Sequence, residues 1–241
     1  YYAGLKRQGP GSPKITRKAL SFITDPGPQG RIADLGCGSG GQTMVLAENC
    51  SARVTGIDLF PEFIDLFNKN AAAHGFQDRV IGQVGSMDKL RFRKGSLDVI
   101  WSEGAIYNMG FEAGVSAWSR FLKPGGKLIV SEITWLCATR PPELQSHWES
   151  EYPEVDVAST KIGILERHGY SPEAYFFLPM HCWLENYYRP MQSRFDTFLD
   201  RHGRSDQAKA IVEAERHEIA LYEKYSAYYS YGVYVAKKCE A

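Results

Sequence analysis

The stretch Arg31-Ile32-Ala33-Asp34-Leu35-Gly36-Cys37-Gly38-Ser39-Gly40-Gly41 constrains this chain more than any other. An apolar run stops at a cluster of glycines, and helix-forming residues resume at Gln42. A strand, a tight turn and a helix start in that order bring backbone N–H groups and the positive end of a helix dipole to one point. A second apolar run, 53–58 (RVTGID), ends in Asp58, 22 residues after Gly36. Read literally, Gly36, Gly38 and Gly41 satisfy G-x-G-x-x-G, and an acid at that distance suits ribose hydroxyls. The combination predicts a nucleotide-type cofactor site in preference to a turn that only packs a helix on a strand.

The flanking pattern sets the architecture. Strands are predicted at 31–35, 53–58, 79–84, 97–102 and 127–135, the last after the turn Lys123-Pro124-Gly125-Gly126. Helices are predicted at 12–24, from Gln42 to Glu48, and at 61–74. Ser12 caps the first with Pro13 behind it; Pro61 opens the third and Gly75 closes it. Such alternation means βαβ units and a mostly parallel sheet. Beyond residue 135 the pattern predicts a helix at 156–169, a strand at 174–183, a helical stripe over 205–225 and a terminal strand at 228–237. Glu215 interrupts that stripe and reads as an edge-of-face residue. The expectation is one α/β domain over 1–241. Its core is a mostly parallel sheet. A helical cap at 184–227 is inserted between the last two strands.

Composition narrows the function classes. Twenty-eight basic groups balance 28 acidic ones, so no global attraction draws the chain to nucleic acid or anionic lipid. No apolar run approaches the roughly 20 residues of a membrane span. Five scattered cysteines without a C-x-x-C pair argue against a disulfide framework or a zinc ribbon, and fit a cytoplasmic protein. The chain starts at Tyr1, not Met, and a preceding segment is expected. The expected partner is a small molecule, with no nucleic acid and no membrane span; a homodimer stays open.

Two cofactor types compete for the glycine loop. A dinucleotide must pass a bulky pyrophosphate, and an acid just before the first glycine gains nothing from it. Asp34 occupies that point. S-adenosylmethionine brings an ammonium and a carboxylate, and Asp34 can receive the ammonium directly or through water. Here the chain resembles class I S-adenosylmethionine-dependent methyltransferases, in the type 11 group that includes ubiquinone/menaquinone-biosynthesis methyltransferases. ADLGCGSG (33–40) resembles their first motif, and VTGIDL (54–59) the strand whose terminal acid holds the ribose. VGSMDKLRF (84–92) is similar to their V-G-D-A-x-x-L-P-F segment, and FLKPGGKLIVSE (121–132) to their run into the fifth strand. The resemblance spans about residues 5–135 and implies a doubly wound, seven-stranded, mostly parallel Rossmann-like α/β sheet whose last strand runs antiparallel. It implies that Gly36 and Gly38 lie against the methionine end, Asp58 takes the ribose hydroxyls and Leu59 packs on the adenine. Ser86 and Met87 would meet the adenine edge. The family's acid for the adenine amino group is replaced by Ser86, and Asp88 reads as a turn residue.

Methyl transfer is an in-line displacement from a sulfonium, which proximity and water exclusion can drive without a conspicuous triad. In open α/β sheets ligands bind beyond the carboxyl ends of the strands, which puts Trp101–Asn108 at the methyl group. Glu103 is a candidate both for the methionine end and for catalysis, and Tyr107 and Asn108 are candidates for the acceptor, Asn108 also for catalysis. This segment is similar to one in phosphoethanolamine methyltransferases. There an acid stands at the position of Gly104 and a histidine at that of Asn108; both are missing here, so that acceptor is not expected. By the same resemblance Gln8 and Gly9, in the loop before the first helix, contact the methionine end as a lid. His181 and Trp183, at the end of the strand predicted at 174–183, are candidates for an aromatic acceptor pocket, with His181 also a candidate base. The rival readings are an NAD(P)-dependent oxidoreductase, which the literal glycine motif permits, and a module that binds S-adenosylmethionine without chemistry.

Overall fold

Ser12 starts the first helix as its side chain dictates: its Oγ accepts the Ile15 N–H at 3.2 Å, and Pro13 takes the first turn of α1 (Pro13–Leu20). The computed structural model describes Leu5 and residues 7–240. Strands and helices then alternate as β1 (Arg31–Leu35), α2 (Gly41–Asn49), β2 (Arg53–Asp58), α3 (Pro61–Ala73), β3 (Val80–Val84), β4 (Leu97–Glu103), α4 (Phe111–Ser119) and β5 (Leu122–Trp135). The second half runs α5 (Pro142–Glu151), β6 (Asp156–Val157), α6 (Ala158–Arg167) and β7 (Tyr170–Phe177). Helical segments α7 (His181–Trp183), α8 (Arg189–Gln192), α9 (Phe195–Arg201) and α10 (Asp206–Tyr225) follow before β8 (Tyr229–Lys238).

The sheet order is β3-β2-β1-β4-β5-β8-β7, with the two-residue β6 paired to the end of β5. Strands β1 to β5 run parallel, and β8 lies antiparallel between β5 and β7. The chain folds as a doubly wound, mostly parallel α/β sheet. β1 is buried from Ile32 to Leu35 because helices cover both faces of the sheet. The order reverses between β1 and β4, which is where such sheets open a crevice for a ligand.

One packing motif fixes the floor of that crevice. Phe67 of α3 is fully buried. A Cβ on Gly40, Gly56 or Gly82 would stand 2.8, 2.6 or 2.7 Å from its ring. Three glycines from one loop and two strands therefore make room for one phenylalanine, and hold α3 close to the glycine turn.

The observed elements depart from the pattern in three places. The strand predicted at 174–183 ends at Phe177, since Pro179 lacks the N–H a ladder needs, and its carbonyl accepts the Cys182 N–H in a helical turn. α4 buries Phe111, Val115 and Trp118 on one face, a stripe too short to stand out in the sequence, and α5 opens on Pro142 after Pro141 and buries only Leu144, so it shows no apolar stripe. β5 extends back through the Lys123–Gly126 turn to Leu122. Between β7 and β8 the chain is helical from His181, and its buried aromatics pack on one face of β8. Trp183 stacks on Tyr222 and Tyr231 at centroid distances of 4.6 and 4.9 Å. Among the described residues no helix is long and apolar enough to cross a membrane.

Candidate active site

The glycine turn leaves β1 with left-handed backbone at Gly36, Gly38 and Gly40, at φ of 71°, 53° and 87°. Each of its N–H groups is already committed. Gly36 and Cys37 donate to the Ile57 carbonyl at 2.8 and 3.1 Å, Gly38 to Asp58 Oδ2 at 2.8 Å, Ser39 to Gln8 Oε1 at 2.8 Å and Gly40 to the Cys37 carbonyl at 3.0 Å. The turn is thus tied to the end of β2 on one side and to the segment before α1 on the other. Contact is close: a Cβ on Gly36 would stand 2.3 Å from Ala105 Cβ, and one on Gly38 2.2 Å from Gln8 Oε1.

A cavity of about 760 Å³ opens beside the turn, at the carboxyl ends of β1, β2 and β4. Gly36, Gly38 and Asp58 line it, with Asp58 also accepting the Phe60 N–H at 3.1 Å. Leu59 and Phe60 line the same side and are 60% and 52% exposed, an apolar shelf suited to a flat ring. Ser86 and Met87 form another wall, and the Met87 carbonyl is anchored by the Trp118 indole N–H at 2.9 Å. Ser86 donates to the Asp88 carboxylate, and that bond lowers the Asp88 pKa.

A narrow neck of about 50 Å³ leads inward between the turn, the pre-helix segment and Glu103, with Gln8, Gly9 and Arg7 along it. The Glu103 carboxylate gathers three donors. Thr16 Oγ1 and Trp101 Nε1 reach Oε1 at 2.8 and 3.0 Å, and the Arg7 guanidinium pairs with Oε2. Arg7 Nε and Nη1 are buried without a partner. A buried guanidinium with free donors beside a carboxylate matches an α-amino acid zwitterion, one group to each charge.

Asp34 stands elsewhere than expected. It is fully buried beneath the turn, where its carboxylate accepts the Thr43 hydroxyl and the Gln42 amide at 3.3 Å, and it lines neither the cavity nor the neck. Burial pushes its pKa up to about 7; the Thr43 bond pulls it back and the Glu103 charge adds to the rise. Gln42, which bonds it, does line the neck.

A second cavity, of about 510 Å³, adjoins the first and shares Gln8, Gly104, Tyr107 and Tyr187 with it. Trp183 lines it, held by an indole N–H bond to Ser230 Oγ at 3.0 Å. Two candidates for this cavity lie outside it. Asn108 faces the first cavity, and its amide closes a short helical turn on the Ala105 carbonyl at 2.9 Å. His181 is exposed on α7 and lines neither cavity, because the chain turns helical after Pro179 and carries its ring away. Sequence reasoning missed Arg7, Trp148, Tyr152 and Glu218. Arg7 alone had a readable signal, a cation directly before Gln8 and Gly9 in the lid segment; the others meet only through tertiary packing. Glu215 lines the second cavity too, so its break in the apolar stripe of α10 marks the wall of a site.

Behind that cavity lies a buried ion pair. Lys161 Nζ is 3.5 Å from Glu132 Oε1, donates to the Glu154 carbonyl at 2.7 Å and sits 4.7 Å above the Phe111 ring. Burial raises Glu132 to about 7 despite the lysine.

Comparison with known proteins agrees with this geometry. The family described as "Methyltransferase domain" matches residues 33–130. A ubiquinone/menaquinone biosynthesis C-methyltransferase from Geotalea daltonii is 31% identical over 44% of this chain and 47% of its own length. A dimethylglycine N-methyltransferase from Parasynechococcus marenigrum is 32% identical over 48% of this chain and 42% of its own. The chain spans about half or less of the length of the curated relatives it matches. Among solved structures, a SAM-dependent methyltransferase from Geobacter sulfurreducens in complex with S-adenosyl-L-homocysteine superposes with a TM-score of 0.84 at 20% identity. It covers 97% of this chain and 94% of that one. YjhP from E. coli superposes at 0.84 and 22% identity, covering 99% and 97%. Residues 33–130 thus match the methyltransferase-domain family, and the chain as a whole carries the fold of these SAM-dependent methyltransferase structures.

Proposed function

We propose that this protein transfers a methyl group from S-adenosylmethionine to a small-molecule acceptor. The observation that carries the reading is the meeting of two cavities at Gln8, Gly104 and Tyr107, one with a ribose acid and an apolar shelf, the other walled by aromatics. When bound, S-adenosylmethionine supplies an activated methyl carbon on a sulfonium. Asp58 is placed to accept the ribose hydroxyls, Leu59 and Phe60 to cover the adenine, and Ser86 and Met87 to meet its edge. Arg7 and Glu103 are placed to hold the carboxylate and the ammonium of the methionine end. Gln8 and Gly9 close over the turn and exclude water from the reacting carbon. Residues 181–225 act as a cap over the acceptor.

The committed N–H groups of the turn weigh against a dinucleotide. A pyrophosphate on such a loop needs free backbone donors, and those of residues 36–40 are spent within the protein. The balanced charge and the second cavity's volume of about 510 Å³ suit a small acceptor over a nucleic acid, and five unpaired cysteines suit a cytoplasmic setting. Calorimetric titration with S-adenosylhomocysteine, NADH and NADPH tests the reading. One-site binding of S-adenosylhomocysteine alone is expected, and binding of a nicotinamide cofactor in its place would overturn it. Formation of S-adenosylhomocysteine from S-adenosylmethionine with an acceptor separates an enzyme from a binding module.

A further inference from the structure

The second cavity has a chemistry of its own. Trp148, Tyr152, Trp183 and Tyr231 give it aromatic walls, and Tyr107 stands at its junction with the first. Glu151, Glu215 and Glu218 line it together with His147 and His217, and no lysine or arginine does among the described residues. Two cations near it are spent elsewhere. Arg7 pairs with Glu103 in the neck, and Lys161 is held behind Tyr152 by Glu132 and the Glu154 carbonyl. Trp148 Nε1 is buried with no partner, a free donor on the wall. Glu218 is anchored by the Tyr188 hydroxyl at 2.8 Å, which fixes its carboxyl at the cavity. Burial raises the Glu218 pKa and lowers that of His147. Aromatic faces with carboxylates and no opposing cation attract a positive ligand and repel a phosphate.

Resting on the methyltransferase reading, we infer that the acceptor is a small amine without a phosphate group, seated in its cationic form between the aromatic walls and Glu151 and Glu218. The acceptor nitrogen arrives as an ammonium and gives one proton to a cavity carboxylate, from which it passes to solvent. Its lone pair forms the new N–C bond to the methyl carbon while the C–S bond breaks and returns its electron pair to sulfur. The positive charge ends on the methylated nitrogen, still facing the aromatic walls and carboxylates that received the substrate. Tyr107 and Gly104 line both cavities, so a nitrogen in this box lies next to the neck where the methionine end is held.

The test uses the protein loaded with S-adenosylhomocysteine, titrated calorimetrically with choline, with its neutral isostere bearing carbon in place of the quaternary nitrogen, and with phosphocholine. Choline is expected to bind about tenfold tighter than the isostere, and phosphocholine weaker than choline. Glu151→Gln, on a half-open wall, and Glu218→Gln are each expected to cut the preference for choline severalfold with S-adenosylhomocysteine affinity unchanged. Equal binding of choline and isostere, binding of neither, tighter binding of phosphocholine, or a preference that survives both substitutions would overturn the inference while leaving the methyltransferase reading intact. Failure of S-adenosylhomocysteine itself to bind would remove that reading and the acceptor assignment with it.

Discussion

Replacing Glu103 by Gln tests whether the segment before α1 is held over the cofactor site by charge. The Arg7 and Glu103 side chains are 10% and 8% exposed, so solvent screens their attraction little. Glutamine keeps an oxygen for the Thr16 and Trp101 donors but removes the charge that Arg7 faces. Removing one member of a buried pair costs ~3–5 kcal/mol when the other charge stays buried. Arg7 has an escape that most buried cations lack, because it sits on an irregular segment ahead of the first helix. Its release is limited by what else holds that segment. The restraints are Gln8 on Ser39, Gly11 N–H on the Cys182 carbonyl at 3.3 Å, and Asn186 on the Gly11 carbonyl at 2.8 Å. At ~1 kcal/mol each these bonds cap the loss near ~3 kcal/mol, the cost of undocking residues 7–11. A double-mutant cycle with Arg7→Met and Glu103→Gln, read by urea denaturation, should give a coupling energy of ~1.5–3 kcal/mol. Both single variants should also bind S-adenosylhomocysteine about tenfold or more weakly by calorimetry. A coupling energy under ~0.5 kcal/mol, within the additivity expected of independent sites, would refute the reasoning.

Three further outcomes follow from the geometry. Gly36→Ala should lose ~2–5 kcal/mol in urea denaturation, from left-handed backbone and from the Ala105 contact together. Gly27→Ala, equally left-handed but with open space around it, should lose only ~1–2 kcal/mol; equal losses would discard the steric argument. Asp58→Ala should weaken S-adenosylhomocysteine binding by roughly 10–100-fold through the loss of a charged acceptor, and unchanged affinity would remove Asp58 from the site. Asp34 binds a proton up to about pH 7 when folded but only below the ordinary carboxylate range when unfolded, so its burial costs stability progressively as pH rises from about 4 to 7. Asp34→Asn should gain on the wild type across that window, by up to ~4 kcal/mol, and a pH-independent difference in denaturation midpoints would contradict it.

The first half of the chain was legible because its signals are local. β1 and β2 fall where the apolar runs stop, at Leu35 and Asp58, since burial on both sheet faces demands continuous apolar residues and a ligand site needs a polar end. The second half was less so. α5 is polar along PELQSHWESE and is recruited only by packing, so the cavity wall it brings with Trp148 left no periodic trace. His181 was misplaced because its strand was extended past Pro179, where the ladder has no donor to continue. Asp34 was assigned to the ligand because its position in the motif is local information, while its withdrawal under Thr43 and Gln42 depends on how α2 seats on β1.

By itself the sequence determined the α/β class, the glycine turn and the acid that follows it, because each rests on backbone conformations, periodicities and spacings within about two dozen residues. The tertiary structure decided which groups are free to act. It spent the turn's N–H groups on Ile57, Asp58 and Gln8, joined Arg7 to Glu103 across 96 residues, and buried Lys161 against Glu132. It also drew glutamates and aromatics from α5, α10 and β8 around one cavity. Those pairings join distant parts of the chain, and their energies come from burial and desolvation, which exist only once the sheet and its helices have closed over them.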